Sequence, residues 1–205
     1  YIINTPGAGA FLNGSANFNT ITLSTMIGSG TAPNGTSNPG LYLYSGPSNN
    51  TVTFSYMRGG MGAMILGGSA NAISQSTMVS VNAGAPGMNF FGSVLNTVTG
   101  SYMFNANGFG LNFQQSANSN TISQSTMVGG GGYAAVNMAP GGGGPNSSNL
   151  ITGSMILNPN GNGVSISGGS NSNTISLSTI NIQGTGRRAL YISASSSNSI
   201  EGSYI

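Results

Sequence analysis

The sequence predicts an all-β chain wound into a right-handed parallel β-helix, a solenoid of about eight coils with three short strands per coil. Three observations predict it. A phrase whose clearest copy is Ser-Asn-Thr-Ile-Ser-Gln-Ser-Thr-Met, at 119–127, recurs from one end of the chain to the other. Within each copy apolar and polar residues alternate, which is the period of a strand. The copies follow one another at intervals of 31, 21, 25, 24, 29, 24 and 25 residues, and a repeat of that length marks a solenoid.

The central apolar residue anchors each copy: Ile21, Val52, Ile73, Val98, Ile122, Ile151, Ile175 and Ile200. Two residues before every anchor stands an asparagine: Asn19, Asn50, Asn71, Asn96, Asn120, Asn149, Asn173 and Asn198. Three after every anchor stands a serine: Ser24, Ser55, Ser76, Ser101, Ser125, Ser154, Ser178 and Ser203. Five after, the residue is Met26, Met57, Met78, Met103, Met127, Ile156, Ile180 or Ile205. A composition rich in Ser and Asn cannot by itself produce such columns.

The first strand of each coil carries the anchor inward, with Thr121 and Ser123 outward in the clearest copy. The position two after the anchor (Leu23, Phe54, Gln75, Gly100, Gln124, Gly153, Leu177, Gly202) obeys no rule, as a bend would not. Alternation then resumes in shifted phase, with serine inward, Thr or Tyr outward, and Met or Ile inward. A third strand precedes the phrase, usually after a glycine. Its inward pairs are Ala10/Leu12, Leu41/Leu43, Ala63/Ile65, Met88/Phe90, Leu111/Phe113, Val164/Ile166 and Leu190/Ile192, while the copy near Ala134, Val136 and Met138 fits less well. Stacked ~4.8 Å apart, eight such coils make a rod of roughly 40 Å. The longer coils carry Gly-, Pro- and Asn-rich additions, Gly28 to Gly40 and Pro140 to Ser148, which read as surface excursions. Right-handed winding follows from the general preference of parallel crossovers.

The columns have physical roles. Ile, Val, Met and Leu form the dry core. Asparagine at a corner tolerates left-handed backbone, and stacked asparagines pass amide hydrogen bonds from coil to coil. The serine fits a tight bend, where its hydroxyl must bond a backbone group. The whole of 1–205 reads as one β-helix domain.

Composition narrows the function classes. Four residues are charged, Arg58, Arg187, Arg188 and Glu201, and there is no Lys, Asp, His, Cys or Trp. Glycine, at 35 residues, is more than twice the usual ~7%, yet a disordered chain would not keep aligned apolar columns. A net charge of +2 does not point to nucleic acid or an anionic membrane. No apolar run approaches the ~18 residues of a membrane span, and no signal peptide is visible. A nearly uncharged surface of hydroxyls and amides suits an extracellular or cell-surface location.

Segments such as 172–180 (Ser-Asn-Thr-Ile-Ser-Leu-Ser-Thr-Ile) and 163–167 (Gly-Val-Ser-Ile-Ser) resemble the right-handed β-helix repeats of the pectate-lyase-like superfamily, in its carbohydrate-binding and sugar-hydrolase type. The resemblance covers essentially the whole chain and implies the fold. It departs from that repeat in placing serine where asparagine is frequent inside the second corner. It does not imply one function, since that superfamily holds lyases, hydrolases, adhesins and inert spacers. Its cleaving members use clustered carboxylates, and glycoside hydrolysis normally needs two; this chain has only Glu201. Without His or Cys there is no conventional catalytic triad or zinc site, and calcium lacks its carboxylates. The expectation is no enzyme, no catalytic residue, no metal and no cofactor.

Four weaker signals have bland readings beside them. The methionine column could be a copper ladder, but it shares its place with isoleucines and reads as core. Arg187 and Arg188 could grip an anion or, at a bend, pair with Glu201. The sequons at Asn13, Asn34, Asn49 and Asn146 permit N-glycosylation, though several would arise by chance. The outward residues Thr20/Thr22, Thr51/Thr53, Thr97/Thr99, Thr121/Ser123 and Thr174/Ser176 form a Thr-x-Thr face like that of ice-binding solenoids. Threonine also favours exposed strands for its own sake, and Ala72/Ser74, Leu150/Thr152 and Ser199/Glu201 break the array. The outward tyrosines Tyr56, Tyr102 and Tyr204 alternate with threonine and could stack on a glycan. The leading expectation is a structural rod within a surface fibre, with a glycan-binding adhesin and an ice-binding protein as alternatives. Tyr1–Ile2 and Tyr204–Ile205 share one phase of the coil, so the chain is expected either to be a segment of a longer solenoid or to stack head to tail through open coil ends.

Overall fold

A computed structural model describes residues 2–4, 7–29 and 38–205. Its regular structure is strand, gathered in three eight-stranded sheets. Every pairing between these strands is parallel, and each strand pairs with its counterpart one coil away. The architecture is therefore a parallel β-solenoid of about eight coils with three strands per coil.

The anchor sheet collects Thr20–Thr22, Thr51–Thr53, Ala72–Ser74, Thr97–Thr99, Thr121–Ser123, Leu150–Thr152, Thr174–Ser176 and Ser199–Glu201. The methionine sheet collects Ile2–Asn4, Thr25–Gly28, Tyr56–Gly59, Thr77–Ser80, Tyr102–Phe104, Thr126–Val128, Met155–Asn158 and Thr179–Ile182. The lead sheet collects Ala10–Asn13, Pro39–Tyr44, Met61–Leu66, Met88–Phe91, Leu111–Gln114, Val136–Met138, Val164–Ser167 and Leu190–Ser193.

The register puts like on like. Val98 pairs with Ile73 and Ile122, and Met103 with Met78 and Met127. From Val52 to Ile175 the anchors are buried, as are the inward methionines, in one continuous core. Burying a side chain of that size stabilises the fold by about 1.5–3 kcal/mol relative to exposure. Phe90 and Phe113 stack in that core, centroids 5.2 Å apart and rings 18° from parallel. The irregular copy at Val136–Met138 is also in register, with Val136 between Leu111 and Val164 and Met138 between Phe113 and Ile166. Ala139 and Pro140 end that strand early, which is why its pattern is shorter.

Glycine before a lead strand has a steric cause. A Cβ on Gly62 would lie 2.6 Å from the Val79 nitrogen, and one on Gly87 would lie 2.5 Å from that of Phe104. The lead strand crosses the methionine sheet there too closely for any side chain.

Two corners correct the sequence reading. The ladder asparagines do not occupy the left-handed backbone region. The residue before each one does: Phe18, Asn49, Ala70, Leu95, Ser119, Ser148, Ser172 and Ser197, with φ from 54° to 59°. The rule-free position two after the anchor is left-handed in every coil as well, from 47° at Gln75 to 57° at Gly100. Side chains at these bends point away from the core, so their identity is unconstrained while their backbone is fixed.

Pro140 to Ser148 is only in part a surface excursion. Gly141, Gly142 and Gly143 are exposed, but Asn146 is fully buried. Its Oδ1 accepts the Ala117 N–H at 3.0 Å, its amide donates to the Phe113 carbonyl at 3.1 Å, and its own N–H donates to Ser170 Oγ at 3.2 Å. Of the other addition, Gly28 to Gly40, residues 30–37 lie outside the described residues.

Candidate functional site

The asparagine ladder runs unbroken through the eight coils. At each rung the backbone N–H and the side-chain amide of one asparagine both donate to Oδ1 of the next, as from Asn71 to Asn96 at 2.9 and 3.0 Å. The same pair joins Asn19 to Asn50, Asn50 to Asn71, Asn96 to Asn120, Asn120 to Asn149, Asn149 to Asn173 and Asn173 to Asn198. From Asn71 onward the amide also donates backwards, as from Asn120 to the Ser93 carbonyl at 3.0 Å. One side chain thus satisfies backbone and side-chain groups at a corner.

The serine ladder does the same at the next corner. Ser125 Oγ accepts the Ser101 N–H at 3.1 Å and donates to the Ser123 carbonyl at 2.7 Å. Equivalent bonds link Ser24, Ser55, Ser76 and Ser101 below it, and Ser154, Ser178 and Ser203 above it. These sixteen residues bond one another and the backbone from coil to coil.

Outside, the three sheets differ. The outer face of the anchor sheet is hydroxylated, and its two columns are in register. One runs Thr20, Thr51, Ala72, Thr97, Thr121, Leu150, Thr174, Ser199, and the other Thr22, Thr53, Ser74, Thr99, Ser123, Thr152, Ser176, Glu201. In the second column hydroxyls bond each other along the rod: Ser74 to Thr53 at 3.1 Å, Thr99 with Ser123 at 2.9 Å, Ser176 to Thr152 at 2.9 Å. That pairing engages hydroxyls that a ligand or an ice surface would need.

The outer face of the methionine sheet is more apolar than that of the anchor sheet, above all in its second column. Its first column alternates small and large at successive coils: Thr25, Tyr56, Thr77, Tyr102, Thr126, Met155, Thr179. Its second column runs Ile27, Arg58, Val79, Phe104, Val128, Leu157, Asn181. Tyr102 and Phe104 stack at 6.0 Å and 13°. Burial raises the Tyr102 phenol above its usual pKa. A shallow groove of about 370 Å³ opens where this sheet turns from the anchor sheet, between Leu23, Phe54, Gln75 and Tyr56. A second, of about 200 Å³, is lined by Val128, Leu157, Asn158, Pro159, Asn181 and Gln183.

The lead sheet holds a surface that sequence reasoning missed. Asn137 donates to Asn112 Oδ1 at 2.8 Å, Asn112 to Asn89 Oδ1 at 3.3 Å, and Asn89 to Gln114 Oε1 at 3.4 Å. These are outward positions, yet Asn89 and Asn112 are buried. The signal was an asparagine at the second residue of three successive lead strands. Further along the same outward face, beyond Met64, Phe11, Tyr42 and Tyr44 cluster with centroids 5.3–6.0 Å apart. Burial, and then the neighbouring Tyr44, raise the Tyr42 phenol above its usual pKa.

The remaining sequence signals separate. The Glu201 carboxylate takes the Ser199 hydroxyl, and Arg188 stands over the Tyr191 ring at 5.1 Å. The inward methionines are packed in the core. Of the sequons, Asn13 and Asn49 are exposed, Asn146 is a buried corner residue, and Asn34 lies outside the described residues. Among the described residues no helix is long and apolar enough to cross a membrane.

No family model matches the chain, and no curated protein matches it. Among solved structures it is similar to a chain titled Geobacillus virus E2 ORF18, at 9% identity and a TM-score of 0.41. The alignment covers 94% of this chain and 53% of that one, so this chain spans about half the other's length.

Proposed function

We propose that this chain is a non-enzymatic structural rod, a length of an extracellular fibre whose coils continue from one chain to the next. One observation carries the reading: the asparagine and serine ladders have a direction. Each rung accepts from the coil before and donates to the coil after, so a further coil can add at either edge with the same bonds. The edge strands Thr20–Thr22 and Ser199–Glu201 bound the anchor sheet, and an open edge is a template for pairing. With four charged residues in the chain, little electrostatic repulsion opposes that pairing. The residue set supports a non-catalytic role, because Glu201 is the one carboxylate side chain and no histidine or cysteine could act with it.

Negative-stain microscopy and sedimentation of the concentrated protein test this. Rods longer than the ~40 Å of eight coils are expected. Single rods of that length at every concentration would overturn the reading. A second reading, glycan binding, is favoured by the corner groove, where exposed Leu23 and Phe54 stand beside Tyr56 and the amide of Gln75. A glycan array showing binding that is lost in Phe54→Ala would put that reading first.

A further inference from the structure

A sheet with one face in water normally turns polar residues to that face. The anchor sheet obeys, and the methionine sheet does not. Its outer face presents Val79, Phe104, Val128 and Leu157 in one column, beside a column in which threonine alternates with Tyr or Met. Tyr102 and Met155 are 38% and 46% exposed. An apolar column four rungs long on a face with one charge points to an interaction surface. Its rungs repeat at ~4.8 Å, so a partner with the same pitch can meet it rung for rung.

We propose that this face is an interface between two copies of this chain. The rods lie antiparallel about a two-fold axis that runs along the strand direction, between the Tyr102 and Thr126 rungs. A two-fold interface must map the surface onto itself. With the axis along the rod, each rung would face itself and the two columns would exchange. Tyr102 would then crowd Phe104, while Thr77 faced Val79 across a gap. With the axis along the strands, each column faces itself with its rungs in reverse order. The size alternation then fits only if the axis falls between two rungs, so that every large residue meets a threonine.

Placed between Tyr102 and Thr126, the axis sets Tyr102 against Thr126, Met155 against Thr77 and Tyr56 against Thr179. In the second column it sets Phe104 against Val128, Val79 against Leu157 and Arg58 against Asn181. The one charge on the face thus meets an amide, and the other two pairs of that column are apolar. Moving the axis one rung, to between Thr77 and Tyr102, would press Arg58 onto Val128. The groove of about 200 Å³ beside Val128, Leu157 and Asn181 then faces Phe104, Val79 and Arg58 of the other copy. Facing sheets pack ~10 Å apart, and alternating large and small residues is how such layers interlock. This pairing concerns the side of the rod and stands independently of stacking at its ends.

Sedimentation of the full chain over a range of concentrations tests it. The native chain is expected to pair side by side, doubling the width of the rod whatever length end-to-end stacking gives it. Val79→Arg and Leu157→Glu, each alone, bury an unpaired charge and should weaken the dimer by on the order of 100-fold. The double variant should restore it, because each arginine then meets the partner's glutamate. Within one chain those positions are three rungs, ~14 Å, apart, so they do not neutralise each other. Thr99→Arg on the anchor sheet should leave the dimer intact, and circular dichroism should show every variant folded. A native chain that stays monomeric, single variants that associate like the native chain, or a double variant that fails to restore the dimer would each overturn the proposal.

Discussion

At the scale of the residue, this protein is held by side chains that substitute for water at corners. Ser125 is one case: its hydroxyl serves the Ser101 N–H and the Ser123 carbonyl together. Ser125→Ala removes the hydroxyl without adding bulk and strands both groups in the interior. An unsatisfied buried group costs about 1–3 kcal/mol, so a loss of roughly 2–5 kcal/mol is expected in denaturant unfolding. Thr99→Val, on the outer face, removes a hydroxyl whose partner Ser123 can turn to water. It should cost below ~0.5 kcal/mol. Equal losses from the two variants would contradict the division between inner and outer hydroxyls.

At the scale of the element, the excursion at 140–148 shows how a loop and a corner share one stretch. Deleting Gly141 to Gly143 removes exposed backbone, and loop-length changes of that size shift stability by well under ~1 kcal/mol. Asn146→Ala should cost more, about 1–3 kcal/mol, because its side chain carries two buried hydrogen bonds, to the Ala117 N–H and the Phe113 carbonyl. Thermal melts of the two variants decide the order. The outer faces of the lead and methionine sheets make a separate prediction through Tyr42 and Tyr102. Burial raises both phenols, so folding favours their neutral form. The associated stability is fully present below the unfolded value of ~10 and is lost as pH rises through the higher folded values. With no histidine and a single carboxylate side chain, little else titrates between about pH 5 and 9. The melting temperature should stay level across that range and fall above about pH 10. Tyr42→Phe combined with Tyr102→Phe should move the fall to higher pH.

At the scale of the molecule, every rung bond joins residues one coil apart, 21 to 31 positions along the chain. A solenoid built this way behaves as a sum of coils and their contacts, and order can spread from any coil. Damage at the centre should therefore cost more than damage at an edge. Asn120→Leu breaks side-chain bonds to Asn96 and Asn149 on both sides, whereas Asn198→Leu breaks them on one. Unfolding in denaturant should show the central variant destabilised more, at ~1–3 kcal/mol for each buried group left unpaired, because Asn120 is fully buried and Asn198 only half-buried. Similar midpoints for both would mean the coils do not act as independent neighbours.

The sequence by itself determined the coil. The anchors, asparagines and serines fall at fixed offsets because each must reach a defined place in a parallel stack, and a stack repeats its demands at every level. Inward and outward positions were legible for the same reason, from Ile122 in the core to Thr121 outside it. What only the tertiary structure decided is what lies at positions free of that demand. The left-handed residues before each asparagine include Phe18, Ala70 and Ser148, and no shared side chain announces their backbone. Asn146 looked like a loop residue and a sequon because its corner column is filled by different residues in other coils, Ala117 and Ser170 among them. The outward amide chain through Asn89 and Asn112 and the alternating face at Tyr56, Thr77 and Tyr102 depend on register between coils of unequal length. That register is set by packing across the stack, which a linear spacing of 21 to 31 residues does not contain.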